Sequence, residues 1–401
     1  MRRRLLGRGA ARDRHHGRLE LTLRTGVPPV SDATAGQPPY DREVVNDALS
    51  CVRAAIADKI GAYLDARASE TGAYAGLYRL LRDYPFRQGK MLRPAMCIAA
   101  ARALGAPGHA ALTVASALEL YHNAFLIHDD IEDGSESRRG AATLHRQVGV
   151  ARAINAGDAT NVMSVGLLLE NLSVVGVAKA LHLLHEIELM ARQSAEGQAM
   201  ELDWVNDNAA ALTDADYFAM CTKKTCWYSF ITPLRAGTIV GWPTGADAAI
   251  GPAIEAITRF GAAIGIAFQV QDDLLNLQGQ AEAYGKEIDG DLYEGKRTLM
   301  LNHVLRASPH AAELLAILAT PRERKTPAQI ARLRDEMIRC GSIDHGWDVA
   351  RRHAALAAEL LAGLDFLAER TPLAADEAWA CAVVDARFLR ELVNYVIYRN
   401  L

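Results

Sequence analysis

Between Leu118 and Gly140 the chain places Asp129, Asp130 and Asp133 at the end of an apolar run and follows them with Arg138 and Arg139. A helix reaching Gly134 would put Asp129 and Asp133 one turn apart on one face, with Asp130 beside them. Like charges four apart repel, and the C-terminal end of a helix dipole disfavours anions, so the cluster costs stability unless something offsets it. A hard cation would do so. Mg2+ takes oxygen ligands from one or two carboxylates and completes its shell with phosphate oxygens and water. The two arginines supply planar donors suited to phosphate. The same spacing returns at Asp272, Asp273 and Asn276, with Asn in the fifth place, after a second long apolar run. One such pair is commonly a solvated helix end. Two of them, each closing an apolar helix, point to a single divided site for metal and phosphate.

Such a site needs two long helices facing each other, and after Tyr40 the sequence reads as helix almost throughout. Ala and Leu dominate, β-branched alternation is rare, and no Pro/Gly/Ser-rich linker or internal repeat divides residues 40–401. The expected fold is all-α, a single-domain bundle of about 10–14 helices around a central cavity. Gly261, Ala262, Ala263, Gly265 and Ala267 suit the second aspartate helix to close packing at the bundle centre. Lys90 opens the Gly89–Leu104 segment, with Arg93 a turn later. Lys223 and Lys224 interrupt an apolar helix that continues through Trp227, Tyr228, Phe230 and Ile231, and Gln269 precedes the second cluster by a turn. From Tyr284 to Leu299, Gly285, Gly290 and Gly295 alternate with Lys286, Asp289, Asp291, Glu294, Lys296 and Arg297. A Gly-punctuated, charged loop after a metal site suits a lid that excludes water.

Composition narrows the remaining choices. The 401 residues are half hydrophobic and carry a net charge of -4. Residues 1–24 hold eight Arg against Asp13 and Glu20, so +6 there leaves -10 for the rest. Gly, Pro, Ser, Thr and Ala dominate 26–39 and no secretory-type apolar stretch occurs, so residues 1–39 are expected to be a basic, disordered extension. Six scattered Cys without a Cys-x-x-Cys pair indicate reduced, buried thiols and a cytoplasmic protein. His182-Leu-Leu-His185-Glu186 fails as a zinc motif because its two His are three apart instead of four. Charged or polar residues interrupt each apolar run before the ~18 residues of a membrane span, and nothing marks nucleic-acid binding.

Gly89-Lys90-Met91-Leu92-Arg93-Pro94, Asp129 to Gly140, Gly157-Asp158, Lys224-Thr225, Phe268 to Asn276 and Gly285-Lys286 through Leu299 together resemble the trans-isoprenyl diphosphate synthase (polyprenyl synthetase) family. The chain is most similar to its geranylgeranyl diphosphate synthases. The resemblance implies an isoprenoid-synthase bundle, a homodimer, and condensation of isopentenyl diphosphate with dimethylallyl, geranyl or farnesyl diphosphate. It implies three Mg2+ shared by Asp129, Asp130, Asp133, Asp272, Asp273 and Asn276. Lys90, Arg93, His122 and Arg139 would bind isopentenyl diphosphate. Arg138, Lys224 and Lys286 would hold the leaving diphosphate, with Thr225, Gln269 and Lys296 as further contacts, and Gln198 and Asp203 would lie near the product side.

Tyr121 and Phe125, on the Asp129 face of the helix, would floor the cavity, while Ala124 leaves one side open. That combination implies a geranylgeranyl product, with farnesyl or somewhat longer chains as the alternative. Three positions depart from the family pattern: Gln88 and Ala156 stand for Gly, and Asn276 stands for Asp. A class I terpene cyclase should carry an Asn/Asp-x-x-Ser/Thr-x-x-x-Glu motif in its later half. The nearest match, Asn46 to Ser50, lies near the start and has Ala54 in place of Glu. A non-catalytic regulatory subunit typically loses one aspartate cluster, and this chain keeps the first intact and the second nearly so.

Overall fold

Asp41 opens the first helix by accepting from the N–H groups of Glu43 and Val44, at 3.1 and 3.2 Å, so two of the orphan donors at that terminus are satisfied. The computed structural model describes residues 40–68, 72–87, 89–243, 250–278, 288–367 and 384–398; residues 1–39 lie outside it. Eighteen α-helices occur among the described residues, thirteen of them eight residues or longer, with one two-stranded hairpin. The all-α expectation holds.

The elements that matter here are α1 (Arg42–Asp65), α2 (Leu92–Ala103), α3 (Gly108–Glu132), the hairpin β1 (Ser137–Arg138) and β2 (Ala141–Ala142), α4 (Val150–Leu169) and α5 (Val177–Asn206). They are followed by α6 (Asp214–Cys221), a π-helical segment (Thr222–Ile231), α7 (Thr232–Gly241), α8 (Ile250–Gln278), α9 (Leu299–Ala307), α10 (Ser342–Ala362) and α11 (Ala386–Tyr398). Helix α3 packs on α2 and α4, while α8 packs on α10 and the π-segment. The small residues of α8 serve as expected: Ala262, Ala263 and Ala267 are buried, and Gly265 lets Cys226 approach so closely that a Cβ would sit 2.6 Å from its sulfur. Phe260, Ile264 and Leu274 on the same helix are fully buried.

Two expectations are corrected. Helices α3 and α8 are, by length and composition, apolar enough to cross a membrane, which the run-by-run reading denied. They are 78% and 72% buried inside the protein, as core helices are. Cys97, Cys221, Cys226 and Cys340 are free thiols, but Cys51 is disulfide-bonded. The rejected zinc motif is structural: Glu186 is buried and accepts from Arg235 Nε and Nη2, both at 2.6 Å.

Candidate active site

The two aspartate clusters end α3 and α8 and face one cavity of about 420 Å3, lined among others by Asp129, Asp133, Asp272, Asp273 and Asn276. The repulsion foreseen in the first cluster is met by cations from three other elements. Arg138, in the hairpin, donates through Nη2 to Asp129 at 3.3 Å and through Nε to Asp130 at 2.6 Å. Lys224 lies 3.5 Å from Asp129, and Lys296 donates to Asp133 at 2.6 Å. Burial pushes the Asp133 carboxyl above its usual range, against the pull of Lys296. Burial likewise works against the charge of Lys224 and Lys296, but their carboxylate neighbours outweigh it and both lysines stay protonated.

The middle residue of each cluster is turned about 100° from its neighbour along the helix and is held by a buried tyrosine, and in the first cluster this takes it out of the cavity. Asp130 is fully buried and does not line the cavity. Its Oδ2 accepts from the Tyr84 hydroxyl at 2.5 Å. Asp273, 5% exposed, accepts from the Tyr217 hydroxyl at 2.8 Å through Oδ2 and from Gln269 Nε2 at 2.7 Å through Oδ1. Burial, then the adjoining aspartate, pushes both phenols far above their usual range, so both hydroxyls keep their protons and donate. Asn276 accepts through Oδ1 from the Asp291 N–H at 3.1 Å, fixing the loop that follows α8.

A cationic wall stands beside the carboxylates. Lys90, Arg93, His122 and Arg139 all line the same cavity. Arg93 donates to Ser229 Oγ at 2.6 Å and lies 4.6 Å over the Tyr228 ring, on which His122 also stacks at 5.7 Å. Met91 and Arg139 both adopt left-handed backbone, at φ 57° and 53°, a conformation that costs non-glycine residues energy and tends to gather at functional sites. Gly89 makes room for Arg139: a Cβ there would lie 2.9 Å from its Nη1. Lys90 is exposed, 6.0 Å from the Tyr395 ring centroid on α11.

Glu119, 2% exposed, was not foreseen. Burial raises its carboxyl while Arg139 and Arg93 pull it down. It sits one turn before His122 on α3, and that i, i+3 spacing was the available signal.

Lys224 and Thr225 belong to the π-segment, where an ordinary α-helix was expected. Pro233, just inside α7, has no N–H for the carbonyl four residues back and its ring crowds that carbonyl, which favours a wider turn upstream. The wide turn presents Lys224, Thr225, Tyr228 and Ser229 to the cavity together. Gly197 of α5 presses on it, for a Cβ there would fall 2.2 Å from the Lys224 nitrogen. On the same helix Glu201, and not Asp203, reaches the site: it accepts from Lys224, while Asp203 is exposed and Gln198 donates to Glu132. Thr225 donates to Gln269 Oε1 at 2.9 Å.

Below the metal face, Phe125 lies 5.0 Å from Tyr121 and stacks on Tyr228 at 5.6 Å. Ala124 is fully buried, and neither it nor Tyr121 nor Phe125 lines the cavity, so neither the floor nor the open side expected there borders that space directly. Gly157 has its reason in His128, whose Nε2 would lie 2.3 Å from a Cβ there. Lys286 and Gln88 fall outside the described residues, as does the start of the expected lid up to position 287; the rest of it, including Lys296, is described.

A family model described as Polyprenyl synthetase matches residues 75–337. Over 325 residues, 81% of this chain and 91% of the relative, the sequence is 28% identical to the geranylgeranyl pyrophosphate synthase of Geoglobus acetivorans. Over 221 residues, 54% of this chain and 61% of the relative, it is 33% identical to the octaprenyl diphosphate synthase of Haemophilus influenzae. A solved polyprenyl synthase from Caulobacter crescentus, complexed with calcium and isoprenyl diphosphate, aligns with 91% of this chain and all of that one at a TM-score of 0.72 and 28% identity. Helical bundle and paired aspartate clusters define a prenyltransferase. The chain belongs to the polyprenyl synthetase family.

Proposed function

We propose that this enzyme condenses isopentenyl diphosphate with an allylic diphosphate and that geranylgeranyl diphosphate is its main product. The observation that carries the reading is the shared cavity, lined both by the two aspartate clusters and by Lys90, Arg93, His122 and Arg139. The residues fit Mg2+. Asp129, Asp133, Asp272 and Asn276 offer only oxygen donors toward the cavity, and among the described residues no three His, Cys, Asp or Glu side chains close round one point. That suits an ion, three per site by the family resemblance, that takes its remaining ligands from diphosphate and water. When bound it would supply Lewis-acid stabilisation of the departing diphosphate.

The chain's own residues do the rest. Arg138, Lys224 and Lys296 hold the allylic diphosphate and stabilise the charge that grows on it as the C–O bond ionises. Arg93 and Arg139 hold isopentenyl diphosphate so that its double bond faces the allylic carbon, and orientation alone can supply several kcal/mol, up to about 7–11. Tyr228 lines the cavity, and Phe125 and Tyr121 stack behind it as an aromatic cluster that would stop a growing tail. No protein nucleophile is required, and the released diphosphate can take the proton.

The partner we propose is a second copy of this chain. Val150, Ile154, Val162, Val165 and Leu169 on α4 are exposed, and the apolar exposure continues through Leu172 and Val174 to Val177 and Leu181 on α5. So long an exposed apolar stripe marks an interaction surface.

The test is incubation of the purified protein with isopentenyl diphosphate and, separately, dimethylallyl, geranyl and farnesyl diphosphates in Mg2+, followed by chromatography of the dephosphorylated products. Geranylgeraniol supports the reading in full. Farnesol or octaprenol keeps the reaction and removes the chain-length assignment, and no product with any primer removes both.

A further inference from the structure

Resting on that reading, we propose that Tyr84 and Tyr217 are positioning residues for the transfer: each anchors the middle carboxylate of one aspartate cluster through a buried hydroxyl, and so fixes how the first and fifth positions face the diphosphate. The two clusters are built alike in this respect although the tyrosines come from unrelated elements, the short helix Asp83–Phe86 and α6. Both rings are buried, at 0% and 1% exposure, and both hydroxyls donate to a carboxylate, at 2.5 and 2.8 Å. Each middle carboxylate then gives its other oxygen to a residue that lines the cavity. Asp130 accepts from Arg138, whose second nitrogen reaches Asp129. Asp273 accepts from Gln269, whose oxygen accepts from Thr225. Two parallel chains result, Tyr84–Asp130–Arg138–Asp129 and Tyr217–Asp273–Gln269–Thr225, each running from scaffold to substrate-facing atoms.

Both tyrosines are themselves fixed. The Tyr84 hydroxyl accepts from the Leu144 N–H at 3.2 Å, and its carbonyl accepts from Arg139 at 3.2 Å. Tyr217 lies in the first turns of α6, whose start is set by the Thr213–Asp216 capping box and whose Asp214 is held by Arg306 and His345. Outer partners of this kind orient ligands, and losing one typically weakens metal binding or activity about 10–100-fold.

Tyr84→Phe and Tyr217→Phe keep the rings and remove only the hydroxyls. In the full-length protein each is expected to melt within a few degrees of wild type, yet to bind Mn2+ in the presence of inorganic pyrophosphate at least about tenfold more weakly by calorimetry, with kcat reduced in step. Excess Mn2+ should restore part of the rate, which a merely structural defect would not allow. Asp130→Asn and Asp273→Asn should keep the wild-type number of bound Mn2+ ions, whereas Asp129→Asn and Asp272→Asn should lose ions. Wild-type Mn2+ affinity and kcat in both Phe variants would overturn the proposal, as would loss of an ion in the two middle-position Asn variants. Wild-type protein that binds no Mn2+ with pyrophosphate would overturn the functional reading as well, and that outcome is read before any variant is made.

Discussion

Arg139 shows how much a single position can depend on its surroundings. Its left-handed backbone aims the guanidinium between His122 and the Tyr84 carbonyl, and Gly89 leaves the space for it. Gly89→Ala is therefore expected to push the guanidinium aside and raise the KM for isopentenyl diphosphate on the order of tenfold, since a hydrogen bond to a charged group is worth about 1.5–3 kcal/mol. Steady-state kinetics with each substrate varied in turn would check it; an unchanged KM for isopentenyl diphosphate would mean that Arg139 does not hold it. The aspartate clusters were legible in the sequence because residue type and spacing within one helix carry the whole signal. Tyr84, Tyr217 and Glu201 were not, because they act through contacts between elements far apart in the chain. Asp203 was preferred to Glu201 for want of the face that only the packed helix reveals.

At the scale of elements, the capping box of α6 and the loop after α8 set what the site residues can do. Thr213→Ala removes the side-chain acceptor for the Asp216 N–H, and should cost about 1 kcal/mol in denaturant unfolding while loosening Tyr217. Lys325 gives a pH test of the region behind Lys296. Burial, then Arg297 and Arg322, pushes its amine down to about 8 from the ordinary 10.5. A base whose pKa is lower when folded binds fewer protons folded than unfolded, so it disfavours folding below that value, and stability is regained as pH rises from about 8 to 10.5. Wild type should gain stability relative to Lys325→Gln across that window, measured as urea midpoints; parallel curves would show the amine is not perturbed. Helices α3 and α8 were foreseen from their apolar runs. The π-segment was not, because its residue pattern is helical and only the proline downstream hints at the wider turn.

For the molecule as a whole, the exposed apolar stripe on α4 and α5 predicts a dimer. Val162, 67% exposed, is the position to charge. Val162→Glu should shift sedimentation equilibrium from dimer to monomer while leaving the melting curve of the monomer cooperative; an unchanged mass would place the partner surface elsewhere. The all-α bundle was readable from composition, whereas the assembly surface emerged only once α4 and α5 were placed and their outer faces could be told from their inner ones. A last consequence concerns how the chain comes off the ribosome. Helix α3 finds cover in α2 and α4, its neighbours in sequence, but α8 must wait until α10 has been made. Until then the second aspartate helix has the π-segment and α7 against it, and the face that α10 will cover stays exposed, the kind of exposure that invites aggregation and chaperone capture. Substitutions that weaken the α8-facing side of α10 should therefore appear first as lost soluble yield, before any loss of turnover per folded molecule.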